Sequence, residues 1–148
     1  MNDAEKLLRT MFRFGEGVGD AIGLAAGANG DVFAHIHPDA EHGLFGPSGT
    51  KERLIGRDAF VDFVNRCASA LSDRSDEIES IVGVGEQCAL VHATAWRKSA
   101  ASGEEFRYEW AMFYRVERGL VTYGSDMIDA DAQKFWGRIL TGGDPSII

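Results

Sequence analysis

The second half of the chain reads as four strands with almost nothing between them, and this constrains the fold more than any other feature. Glu77 to Val82, Gln87 to Arg97, Glu105 to Val116 and Leu120 to Ile128 are rich in β-branched and aromatic residues. Gly83-Val84-Gly85, Ser99 to Gly103 and Glu117-Arg118-Gly119 separate them. Such connections are too short for a parallel crossover, which needs a dozen or more residues. The strands must therefore run as an antiparallel meander.

The first half has helical spacing instead. Leu7, Met11, Phe14, Val18, Ile22 and Ala25 recur every three or four residues, with Asn2 or Asp3 able to cap the start. Gly15, Gly17, Gly19 and Gly23 interrupt this pattern, so one helix and two are both open for residues 3–28. Asn29-Gly30 is a stop, and Asp31 can cap a short helix through Ile36 that Pro38 ends. Residues 39–46 read as a strand, Gly46-Pro47-Ser48-Gly49 as a loop and Glu52 to Gly56 as a short strand. Arg57 to Leu71 is a helix with Phe60, Phe63, Val64, Cys67 and Leu71 on one side, closed by Ser72-Asp73. Asp129 caps a last helix carrying Phe135, Trp136 and Ile139. Helices followed by a meander give an α+β class, one curved antiparallel sheet wrapped over helices.

Composition narrows the function. A length of 148 residues suits a single domain over 1–148. Fifteen Lys and Arg against 23 Asp and Glu give a net charge of −8, which disfavours nucleic acid and anionic membranes as partners. No apolar run reaches the roughly 18 residues of a spanning helix, and Met1 to Arg9 has no signal-peptide layout. The two cysteines, Cys67 and Cys88, sit in apolar stretches and read as reduced thiols of a cytoplasmic protein.

Gly56-Arg57-Asp58-Ala59 at the third helix, Gly119-Leu120-Val121-Thr122 and Ser125-Asp126-Met127-Ile128-Asp129 carry a family likeness. With the order of elements, they make residues 10–140 resemble the nuclear-transport-factor-two-like superfamily. This is the cone-shaped, cystatin-like fold of ketosteroid isomerase, SnoaL-like polyketide cyclases and limonene epoxide hydrolase. The resemblance implies a deep apolar pocket between helices and concave sheet, and a homodimer through the outer sheet face. The fold does not fix the chemistry, since it hosts hydrolases, isomerases, dehydratases, cyclases and non-enzymes.

Strand alternation sorts the candidate residues. Phe106, Tyr108, Trp110, Met112 and Tyr114 share one face, expected to line the pocket; core packing is their alternative use. Thr122, Gly124, Asp126 and Ile128 share another. The resemblance places Asp126 where the epoxide hydrolases hold a water-activating aspartate. In apolar surroundings such a carboxyl has a raised pKa and can serve as general acid or base. The Arg and second Asp of those hydrolases have no counterpart in Leu90 to Trp96, so their triad is missing. Leu44 stands nearest the isomerases' catalytic aspartate, so that steroid chemistry is unsupported too.

His92, Thr94 and Trp96 alternate on one face of their strand. As the bulky set, they are expected to face the pocket rather than Ala93 and Ala95. His42 lies on the first strand. Asp126 with His42 or His92 would form the acid–base pair, and Tyr108, Trp110, Trp96, Thr94 and Met112 would bind the substrate, a small apolar molecule. No cofactor is called for. The alternative is a non-catalytic binding or dimerisation module of the same fold. Ala89, Val91, Ala93 and Ala95, with Phe113, form an apolar face expected to be covered by a second copy of the chain. A rival motif, His35-Ile36-His37 with Glu41, approaches a cupin metal site, but its second half is missing.

Overall fold

The computed structural model describes residues 1–17, 19–22, 32–45 and 51–141. Six strands form one curved, unclosed sheet: β1 (Ile36–Phe45), β2 (Lys51–Ile55), β3 (Leu71–Val84), β4 (Cys88–Ser99), β5 (Glu105–Glu117) and β6 (Leu120–Met127). Their order is β2-β1-β6-β5-β4-β3. The β3–β4–β5–β6 meander is antiparallel, as the short turns require. The parallel pairing of β1 with β6 closes the order and joins the first half to the second. Among the described residues, the helices α1 (Asp3–Met11), α2 (Arg57–Ser69) and α3 (Ala130–Leu140) accompany the sheet.

Each helix start follows from its sequence. The Asn2 side chain accepts from Glu5 N at 2.8 Å, and Asp129 accepts from Ala132 N at 2.8 Å. Gly56 precedes α2 at φ 92° and ψ 154°, an essentially glycine-only conformation that would cost a side-chain-bearing residue about 1–3 kcal/mol. The open choice for the N-terminal segment resolves toward a break. α1 stops at Met11, and Arg13 (φ 52°), Gly15 (φ 86°) and Gly17 (φ 73°) turn the chain in left-handed conformations. Its buried face is Ala4, Leu8 and Met11, with Leu7 at the flank. Val18, Ala25, the Asn29-Gly30 stop, the Asp31 cap and the loop of residues 46–49 lie outside the described residues.

Several boundaries differ from the sequence reading. A single 3-10 turn, Phe33–His35, replaces the short helix, and β1 begins at Ile36. Pro38 falls within β1, where the β1–β6 register shifts between Ile36 and Glu41, so its missing N–H costs no ladder bond. β3 begins at Leu71 rather than Glu77, with Ala70 alone closing α2. Ser72-Asp73 is therefore strand, not a loop. An irregularity between Arg115 and Val116 shifts the β5–β6 register, so Val121 is buried and Thr122 leaves the face of Gly124 and Asp126.

The most consequential correction concerns β4. Ala89, Val91, Ala93 and Ala95 face inward and are buried, while His92, Thr94 and Trp96 face outward. Small side chains let α1 approach the concave surface, and Ala89 and Val91 join Ala4, Leu8 and Met11 in one core cluster. Bulky side chains fit the open convex surface. The apolar alanine face is thus covered within the chain, and it gives no ground for a dimer.

Because α1 leaves no room above Ala89, Ala89→Leu is expected to destabilise the chain by about 1–3 kcal/mol. Urea unfolding followed by circular dichroism measures this. An unchanged midpoint would show that α1 does not press on β4.

Candidate functional site

Between the concave sheet face and the helices lies a cavity of about 150 Å³. Its wall is almost wholly apolar: Met11 and Phe12 at the end of α1, Phe60, Phe63 and Val64 from α2, Ile36 and Leu44 from β1. β5 contributes Tyr108, Trp110, Met112 and Tyr114, the side that alternation selected. Phe106 of the same stripe stacks instead on Phe135, with ring centroids 5.2 Å apart. A void of this size, lined by apolar atoms, holds a molecule as large as benzene.

Asp126 is the carboxyl on the β6 side of this wall. Its Oδ2 accepts a long bond from Phe45 N at 3.4 Å. Its Oδ1 is buried and has no hydrogen-bond partner among the described residues. Burial raises its pKa to about 6, against the weaker opposing pull of the Phe45 N–H and the Lys51 ammonium. Lys51 itself is held by Ser125 Oγ at 2.7 Å and the Asp126 carbonyl at 2.8 Å.

His42 lies on the inner face of β1, opposite Gly124 in the parallel pair. It is fully buried and stacks on the Phe60 ring at 4.0 Å. Gly124 makes room for it, since a Cβ there would sit 2.7 Å from His42 Cδ2. Neither ring nitrogen has a partner among the described residues, and burial lowers its pKa to about 4. His42 and Asp126 therefore share a face without bonding to each other.

The other anticipated residues divide. Tyr108, Trp110 and Met112 line the cavity. His92, Thr94 and Trp96 do not: they meet Glu109 at 3.0 Å, Glu79 at 3.2 Å and Glu105 at 3.1 Å on the outer surface. The cupin-like trio also disperses. His37 Nδ1 accepts from Asp39 N at 3.0 Å, and Glu41 pairs with Arg53. Among the described residues no three His, Cys, Asp or Glu side chains stand together as a metal site.

Two wall residues escaped the sequence reading. Asp76 of β3 and Arg97 of β4 form an ion pair of 2.7 Å, with 1% and 2% of each residue exposed. Trp110 Nε1 donates to the same Asp76 Oδ1 at 2.9 Å, and Ala21 N donates to Oδ2 at 3.2 Å. Arg97 also donates to Ser75 O and Trp96 O. Tyr108 Oη accepts from Trp136 Nε1 at 2.8 Å, and burial pushes its pKa up to about 12. The signal was parity. Arg97 continues the inward series Ala89, Val91, Ala93, Ala95, and a charge in that series demands a buried partner.

Comparison with known proteins follows this geometry. Residues 23–124 match the family described as SnoaL-like domain. No curated protein sequence matches the chain. An NTF2-like protein of unknown function from Burkholderia pseudomallei K96243 is 15% identical with TM-score 0.71, covering 92% of this chain and 98% of its own. A protein described as a candidate polyketide cyclase, from Xanthomonas campestris pv. campestris, is 16% identical with TM-score 0.66, over 93% and 96% of the two chains. TerC, co-crystallized with polyporic acid, is 16% identical with TM-score 0.61, over 79% and 95%. These likenesses establish the NTF2-like cone. Among the described residues no helix is long and apolar enough to cross a membrane.

Asp126 binds its proton more tightly when folded, near pH 6, than when unfolded, near 3.8. Its contribution thus favours the folded state below about pH 4 and is lost as pH rises to about 6. Asp126→Asn removes this dependence. Relative to the wild type, the variant should gain on the order of 2 kcal/mol between pH 4 and pH 7. Urea melts of both proteins across that range read the difference. A loss of several kcal/mol at every pH would make Asp126 a structural partner instead.

Proposed function

This chain belongs to the SnoaL-like domain family, and on that premise we propose that it binds a small, largely apolar ring compound and moves a proton on it. Asp126 is the acid or base. The observation that carries this reading is a buried carboxylate oxygen without a partner, in the wall of an apolar cavity. A carboxyl titrating near 6 holds and releases a proton at neutral pH, as general acid–base chemistry requires. The bond from Phe45 N holds the carboxyl in place, while its second oxygen has no partner among the described residues.

Tyr108, Trp110 and Met112 supply the ring-binding wall in this proposal. His42 takes a supporting place. Neutral, and stacked on the wall residue Phe60, it keeps positive charge away from Asp126 and so preserves the raised pKa. The co-crystallization of TerC with polyporic acid supports the binding of a small molecule by a protein of this fold.

A non-catalytic binding module is the second reading. It is favoured by the lack of a hydrogen-bonding side-chain partner for Asp126 among the described residues. The two readings separate in one experiment. A panel of one-ring ketones and their hydrocarbon counterparts is screened by thermal shift. Those that bind are then followed by NMR in D2O for deuterium exchange beside the carbonyl. Proton transfer predicts exchange in the wild type, with a pH profile breaking near 6, and none in Asp126→Asn. Binding with equal, background exchange in both proteins would leave only the binding module. No binding by any member of the panel would overturn both.

A further inference from the structure

Three of the five N–H donors of the Arg97 guanidinium are hydrogen-bonded. Nη1 donates to Ser75 O at 3.1 Å and Trp96 O at 3.0 Å, and Nη2 donates to Asp76 Oδ1 at 2.7 Å. The second Nη2–H and the Nε–H are left over, and Nε is the one guanidinium nitrogen that is buried with no partner at all among the described residues. Arg97 lines the cavity, as do Asp76, Tyr108 and Trp136. The guanidinium carbon lies 5.7 Å from the Tyr108 ring centroid and 5.9 Å from that of Trp136. Tyr108 Oη accepts from Trp136 Nε1 at 2.8 Å, and its own hydrogen meets no acceptor among the described residues. One wall of an apolar cavity thus carries two donors, a guanidinium N–H and a phenol O–H, each lacking an acceptor.

A buried donor left unmade costs about 1–3 kcal/mol, more where it is charged. An apolar side chain opposite an apolar β3 residue would fill the space without that cost. The donors need an acceptor that the described residues do not provide. Asp76 already balances the charge of Arg97, so the missing acceptor need not be an anion. A neutral oxygen with two free lone pairs satisfies both donors.

The geometry points to a carbonyl subsite: Arg97 Nε and Tyr108 Oη together hold the oxygen of a ring ketone or a similar carbonyl compound. This rests on the proposed ligand-binding role of the cavity, and it names the class of ligand. Asp76 acts through Arg97. Its bonds to Nη2, to Trp110 Nε1 and from Ala21 N fix the guanidinium edge while leaving Nε free. The cavity of about 150 Å³ limits the ring portion to roughly one six-membered ring.

Cyclohexanone and methylcyclohexane have nearly the same shape and differ by the oxygen. Their affinities for the purified full chain are measured by NMR titration, in the wild type and in Tyr108→Phe and Arg97→Lys. The wild type should bind cyclohexanone roughly tenfold or more tightly than methylcyclohexane, as one charge-assisted hydrogen bond implies. Each variant should lower cyclohexanone affinity by roughly tenfold and leave that of methylcyclohexane unchanged. Arg97→Lys keeps the positive charge opposite Asp76 but has no Nε–H. Tyr108→Phe keeps the ring, and it serves alone if the lysine variant does not fold. Equal affinities in the wild type, or an unchanged ratio in Tyr108→Phe, would overturn the subsite while leaving the cavity's binding role standing. Binding of neither compound would overturn the subsite along with the reading beneath it.

Discussion

The Asp76 carboxylate is the point on which the interior depends. Both of its oxygens are in use: Arg97 and Trp110 share Oδ1, and Ala21 N donates to Oδ2. Its backbone N–H reaches Gly19 O at 2.6 Å. One side chain thereby joins β3, β4, β5 and the segment of residues 19–22. A buried charge of this kind is tolerated only when partnered, and removing one member of such a pair costs about 3–5 kcal/mol. This network gives the cavity a fixed polar wall inside an otherwise apolar shell.

Asp126 shows what happens to a carboxyl in the same cavity without such partners. Its one backbone donor is long, at 3.4 Å, and its nearest cation, Lys51, is engaged with Ser125 and a main-chain carbonyl. Desolvation dominates there, and the proton is held to about pH 6. Two aspartates thus stand in one cavity wall with different bonding. The first has both oxygens bonded into the scaffold, and the second has one oxygen without a partner among the described residues. Cys67, in the same wall, stays a thiol, since burial pushes its pKa up to about 12.

Much of this was legible in the sequence. Short turns fixed the antiparallel meander, Asn2 or Asp3 and Asp129 announced their helices, alternation put Tyr108, Trp110 and Met112 on one face, and the family resemblance marked Asp126. Local rules suffice for such features because each depends on residues close in sequence. β4 misled because side-chain size was read as a sign of the pocket. The concave side of a tightly packed sheet favours small residues wherever a helix rests on it, so His92, Thr94 and Trp96 went outward. Asp76 was lost because β3 was begun at Glu77, one residue too late to include it. The parallel β1–β6 pair carries no local signal, since its strands are some 80 residues apart in sequence. Nor could sequence show that His42 and Asp126 would share a face unbonded, because this depends on Phe60 and Gly124 packing around the imidazole.

The central claim is that Asp126 is a buried carboxyl poised to hold a proton near neutrality. The most direct measurement is an NMR titration of the carboxyl carbons in uniformly 13C-labelled protein, with Asp126→Asn used to assign the resonance. The account predicts a single midpoint for Asp126 of about 6. A midpoint at or below the ordinary carboxylate value of about 4 would contradict it, because the group would then be a solvated or paired anion at neutral pH.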